Sequence, residues 1–202
     1  MVILLNGRLK GKKGNGYYLL QRLKECNPGE CAEKSIAEAL KDTDGFMKEL
    51  QAADALVIAA PLYVDGLPAQ VLKLMEALYE NHPGCAKGLR VYVVSNLGFY
   101  ESAQIGNLLD MVKNWCARME FVYGGGAAIG AGGMMSAFRG IPLGKGPNKA
   151  LGEGLNQLAC AIREGKAMEN LFLQPSLIPR FAYKFAAHRM FKGTGRRNGV
   201  KV

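Results

Sequence analysis

Short runs of Val, Ile and Leu alternate along this chain with longer segments whose apolar residues recur at helical spacing. A strand written as an unbroken apolar run must be covered on both faces, and the segments between the runs supply amphipathic helices to cover it. The pattern therefore predicts a βαβ protein with a parallel sheet between two helical layers. Strands are expected at Val2–Leu5, Ala32–Ala37, Ala55–Ala60, Leu89–Ser95 and Phe121–Gly130, five in all, with the second the weakest. Among the covering segments, Val71, Leu74, Met75 and Leu78 follow the i, i+3, i+4, i+7 rule, and so do Ile105, Leu108, Leu109 and Val112. Phe46, Met47, Leu50 and Ala53 mark another helix, and Leu151, Leu155, Leu158 and Ile162 one over about residues 147–164. Pro68 and Pro147 are expected in first helical turns, and Ser102 as an N-cap.

Right-handed crossovers and a glycine turn after the first strand favour the order 2-1-3-4-5 for a five-stranded sheet in a three-layer α/β sandwich. That order reverses between strands one and three, so a ligand is expected at the carboxyl ends of strands one, three and four. No fixed repeat or low-complexity linker divides the chain. One domain is expected over residues 1–168, with residues 169–202 a C-terminal extension and not an independent domain.

Composition closes off several functions. No stretch stays apolar for the eighteen or so residues a membrane span needs, because Pro61 and Asp65 interrupt the run from Ala55 to Val64. Cys26, Cys31, Cys85, Cys116 and Cys160 are odd in number and lack a close pair, which disfavours a disulfide framework, a zinc site and an iron–sulfur cluster. A reducing cytoplasm suits them. With only His82 and His188 available, no metal site is expected. The net charge of +9 is uneven: residues 170–202 hold seven Lys/Arg and no acid, leaving 19 basic against 17 acidic residues elsewhere. In this basic tail Phe181, Phe185 and His188 recur at helical spacing with Arg180, Lys184, Arg189 and Lys192 between them. Docking of that helix on the domain or a partner subunit is favoured over contact with a lipid surface, and no nucleic-acid-binding motif accompanies the charge.

Three loops carry the chemistry. The first, Asn6 to Tyr17, lies between a strand and a helix; Gly14 and Gly16 allow close backbone approach, and the N–H groups of Gly16, Tyr17 and Tyr18 would face an anion. No Gly-Lys-Ser/Thr follows these glycines, and the spacing is not GxGxxG, so neither a triphosphate loop nor a dinucleotide fingerprint is present. A solvated basic turn is the plain alternative. The second loop, Pro61 to Pro68, sets Tyr63 amid backbone amides, and the third, Ser95 to Glu101, places Gly98 beside Phe99 and Tyr100. Each aromatic alone would suit packing; three at neighbouring strand ends suit a flat ligand. The glycine-rich stretch from Gly130 to Gly133 and beyond either covers such a ligand, meets a second subunit or merely connects.

Gly14-Asn15-Gly16, the run Ala60 to Pro68 and Asn96-Leu97-Gly98-Phe99-Tyr100-Glu101 together resemble the NADPH-dependent FMN reductase-like branch of the flavodoxin superfamily, over about residues 1–165. The resemblance implies a flavodoxin-like fold, FMN as cofactor, NADPH or NADH as electron donor, and a homodimer. It assigns Gly7, Arg8, Lys13, Gly14, Asn15, Gly16 and Tyr17 to the FMN phosphate. Pro61, Leu62, Tyr63, Val64 and Asp65, with Asn96, Gly98, Phe99, Tyr100 and Glu101, would flank the isoalloxazine. No catalytic side chain is implied, since FMN would carry the hydride chemistry and pass electrons to a flavin, quinone or similar small acceptor. The chain departs from that family where Arg8 and Gly16 stand in place of the usual hydroxyl residues, which weakens the phosphate site. Two other readings stay open: an electron carrier without nicotinamide activity, and a non-enzymatic binding protein that uses the basic tail.

Overall fold

The structure, a computed structural model, describes residues 1–8 and 14–200. In chain order it contains β1 (Val2–Asn6), α1 (Asn15–Glu25), β2 (Cys31–Ser35), α2 (Ile36–Lys41), α3 (Thr43–Gln51) and β3 (Ala55–Pro61). There follow α4 (Ala69–Asn81), β4 (Arg90–Asn96), α5 (Gly106–Met119), β5 (Val122–Ile129), α6 (Met135–Phe138), α7 (Lys149–Glu164), β6 (Leu171–Leu173) and α8 (Arg180–Arg197).

All sheet pairings are parallel, and the order is β2-β1-β3-β4-β5-β6. The α/β class and the order of the first five strands match the sequence pattern; the expected count of five does not. Leu171–Leu173 adds a sixth strand by pairing with Ala127–Ile129. Three residues are too few to show any period, which is why that strand does not stand out in the sequence.

Alternation within the strands builds the two cores. Ile3, Leu5, Leu56, Ile58, Val91 and Val93 face α2, α3, α4 and α5, while Val2, Leu4, Val57, Tyr92 and Val94 face α1 and α7. Burying one such aliphatic side chain contributes about 1.5–3 kcal/mol, so each layer is held chiefly by its apolar stripe. Tyr92 is fully buried, and its hydroxyl donates to the carbonyls of Ala161 (3.1 Å) and Lys166 (2.8 Å) at the end of α7. Its ring fits because residue 124 is glycine: a Cβ there would stand 2.4 Å from the Tyr92 ring. The β4–β5 register shifts at this point, between Val91 and Tyr92.

Helix starts differ in detail from expectation. Pro68 is the residue before α4 and does not lie in its first turn. Ser102 begins a 3₁₀ turn without capping it and accepts instead from the Gln174 side chain at 3.0 Å. Residues 36 and 37, expected in the second strand, open α2, because Ser35 and Glu38 close a capping box. In α8 the residue that packs is Tyr183, 7% exposed, whereas Phe181 and Phe185 are 76% and 65% exposed. The aromatic stripe expected to dock therefore faces away from the domain, and docking falls to the opposite side of the helix.

Candidate functional site

A cleft of about 300 Å³ opens at the carboxyl ends of β1, β3, β4 and β5, where the strand order reverses. Its lining comprises Arg8, Gly14, Asn15, Gly16, Pro61, Leu62, Tyr63, Asn96, Leu97, Gly98, Gly132 and Gly133.

The first wall is the entry to α1. Gly7 is fixed by packing: its N–H donates to Ala59 O at 2.8 Å, and a Cβ would lie 2.8 Å from Val71 Cγ2. Gly14 caps α1 at φ 114°, a conformation that side chains disfavour. The first helical bond runs from Tyr18 N–H to Gly14 O (3.1 Å), so Tyr18 cannot also serve an anion, contrary to the sequence reading. The donors the helix leaves over are those of its first turn, Asn15, Gly16 and Tyr17. Asn15 is braced, its side-chain nitrogen donating to Gly132 O at 2.9 Å and its oxygen accepting from Arg139 at 3.4 Å. A Cβ on Gly16 would keep 3.6 Å from its nearest neighbour, Asn6 Oδ1. The Tyr17 side chain turns away from the cleft, into a depression shared with Leu20, Lys34 and Ser35. Lys13 lies outside the described residues.

A tight turn makes the second wall. Tyr63 and Gly66 exchange backbone hydrogen bonds of 3.0 and 3.1 Å, and Val64 and Asp65 between them adopt φ of 47° and 59°. Two consecutive left-handed residues define a type I′ turn. The turn holds Tyr63 at the cleft, 53% exposed, while Val64 and Asp65 form its tip and do not line the cavity.

At the third wall Asn96 is 6% exposed and its Oδ1 has no hydrogen-bond partner among the described residues. A buried carbonyl without a donor is costly, and one that lines a cleft is an acceptor ready for a ligand N–H. A Cβ built on Gly98 meets nothing within 4 Å. Phe99, Tyr100 and Glu101 are near the cleft in sequence but do not line it. Phe99 is 68% exposed, Tyr100 donates to Ile178 O at 2.9 Å, and Glu101 pairs with Arg180. That hydrogen bond to Arg180 holds the Glu101 carboxyl below the usual carboxylate range.

The structure thus gathers Arg8, Gly14, Asn15, Gly16, Pro61, Leu62, Tyr63, Asn96 and Gly98 into one cavity, and leaves Gly7, Tyr17, Val64, Asp65, Phe99, Tyr100 and Glu101 out of its lining. Leu97, Gly132 and Gly133 belong to it as well. The glycine-rich stretch after the fifth strand was the signal for the last two. The lining holds no carboxylate, imidazole or thiol among the described residues, so it offers backbone amides, one carboxamide acceptor, an aromatic ring and a guanidinium. Such a set binds and orients an anionic, planar group. Cys116 is remote from it on α5, and burial pushes its thiol up to about 12.

The fold and this cleft at the strand-order reversal define a flavodoxin-like α/β protein. Among solved structures the chain is similar to a flavone reductase, with a TM-score of 0.57 at 10% identity over 98% of this chain and 92% of that one. It is similar also to the flavodoxin of Megasphaera elsdenii, at 0.52 and 14% over 81% and 99%. In sequence it is similar to an FMN-dependent NADH:quinone oxidoreductase of Dechloromonas aromatica (strain RCB), 29% identical over 123 residues. That match covers 53% of this chain and 61% of the relative, less than two thirds of its length. No protein-family model matches the chain.

Proposed function

We propose that this chain is an FMN-dependent NAD(P)H oxidoreductase that reduces a quinone or a similar small, flat electron acceptor. The observation that carries the reading is the convergence on one cleft of the α1 first turn, the Tyr63 ring and the Oδ1 of buried Asn96, which has no donor among the described residues. These groups fit the parts of FMN. The N–H groups of Asn15 and Gly16 would hold the phosphate with Arg8 nearby, in the sense favoured by the helix dipole. Asn96 Oδ1 would accept from a ring N–H, Tyr63 would flank the ring, and the absence of a Cβ at Gly98 keeps the third wall open to it.

Bound FMN would supply the hydride and electron transfer that no lining side chain performs. The protein's part is to bind, orient and exclude. Its rigidity at the phosphate end comes from Asn15, whose carboxamide ties α1 to Gly132 and Arg139 across the cleft. The likeness in sequence to a quinone oxidoreductase supports an enzyme, whereas the fold is shared by enzymes and by carriers.

Anaerobic mixing of the flavin-loaded protein with NADH and, separately, with NADPH tests the proposal. Bleaching of the oxidised-flavin absorbance band, followed by its return on adding a benzoquinone, is the expected result. Bleaching by dithionite but by neither nicotinamide would assign the chain to the electron carriers.

A further inference from the structure

We infer that the start of α8 belongs to the flavin cleft, with Tyr183 as a positioning residue that locks the Gly98 wall to the Gly133 wall. The inference rests on the flavin reading above and goes beyond it, because Tyr183 lies outside the segment that resembles the flavin-binding family.

Tyr183 is 7% exposed although it sits on a helix whose other aromatic side chains are open to solvent. Its hydroxyl donates to the Gly98 carbonyl, and Gly133 packs against the same oxygen. Gly98 and Gly133 both line the cleft, one after β4 and the other after β5. One phenol therefore bridges two walls, and the bond to its carbonyl fixes the orientation of the Gly98 peptide. A Cβ at residue 133 would stand 3.0 Å from the Tyr183 oxygen and 3.4 Å from Gly98 O, a tight contact that requires the phenol to shift by a few tenths of an ångström. Burial pushes the Tyr183 phenol up from its ordinary value, and the Glu101 charge adds to this, so it stays a donor through the neutral range.

Three further contacts hold the helix in place on the same loop. Arg180 pairs with Glu101, Tyr100 donates to Ile178 O at 2.9 Å, and the Tyr100 and Tyr183 rings meet at 5.7 Å. Four ties between one tail segment and the four residues Gly98 to Glu101 exceed what anchoring a solvated extension requires. They place the tail's effect at the wall that would meet the isoalloxazine.

The test uses full-length protein freed of flavin and titrated with FMN. Tyr183→Phe keeps the ring and removes the bridge; Gly133→Ala keeps the phenol and displaces it from the other side. Phe185→Ser, on the exposed face of α8, is the control. Each cleft variant is expected to bind FMN about three- to tenfold more weakly, the loss of one hydrogen bond. The visible band shape of its bound flavin should also change, while Phe185→Ser matches wild type in both. A change in helix packing alone would lower thermal stability without altering the bound flavin's spectrum. Wild-type affinity and spectrum in either folded cleft variant would overturn the inference and leave the flavin site standing. Failure of wild type itself to bind FMN would overturn both.

Discussion

Val64 occupies the left-handed region at φ 47° with its side chain fully in solvent, so it is held there by the turn and not by burial. A left-handed conformation costs a side-chain-bearing residue roughly 1–2 kcal/mol, and the type I′ turn that sets Tyr63 beside the cleft carries that cost. Val64→Asn should relieve it, raising the unfolding free energy in denaturant titration by about 1 kcal/mol with FMN affinity unchanged. Gly124 works in the opposite sense. Gly124→Ala would drive a Cβ into the Tyr92 ring, which two hydrogen bonds hold in place. A loss of about 1–3 kcal/mol is expected by the same measurement. At this scale the sequence shows which residues are glycine but not why. Gly98 and Gly124 look alike in a string of letters; one faces open space and the other an aromatic ring.

Elements were legible in proportion to their length and period. β1, β3 and β4 declare themselves as apolar runs, and α4, α5 and α7 by their stripes, because burial on one or both faces writes itself into composition. β2 is half-buried except at Glu33, which is exposed, and is correspondingly faint, and the Ser35 capping box ends it where a strand reading would have continued. α8 shows the limit of spacing arguments. Phe181 and Phe185 recur correctly for a helix, yet Tyr183 is the side chain that is buried, since its hydrogen-bond partner is a loop 85 residues earlier. The Glu101–Arg180 pair at that seat gives a pH signature. The folded carboxyl lies below its ordinary value, so its contribution is full above about pH 4.3 and is lost as pH falls through the folded value. The thermal midpoint of wild type should therefore exceed that of Glu101→Gln at neutral pH. The gap should close only in the acid range; a gap independent of pH would remove the ion pair from the account.

For the whole molecule, the class and the order of the first five strands follow from alternating pattern and chirality, and the cleft from where that order reverses. The parts of the site that come together over long separations were not legible. Asn15 with Gly132 and Arg139, and Tyr183 with Gly98 and Gly133, depend on how the last third of the chain returns over the sheet. That return is basic, its aromatic face lies open, and its buried side meets the loop after β4. Nine of the predicted residues line one cavity with a helix start and a buried acceptor that has no donor among the described residues, and this concentration supports a flavin phosphate at one end and its ring at the other. The most direct measurement is equilibrium titration of FMN into wild type and into the Asn15→Asp, Gly16→Glu double variant, both checked for native circular dichroism. The account predicts saturable binding of FMN by wild type and its loss in the variant, where two carboxylates would oppose the phosphate at the first turn of α1. Equal binding by the two proteins, or none by wild type, would contradict it.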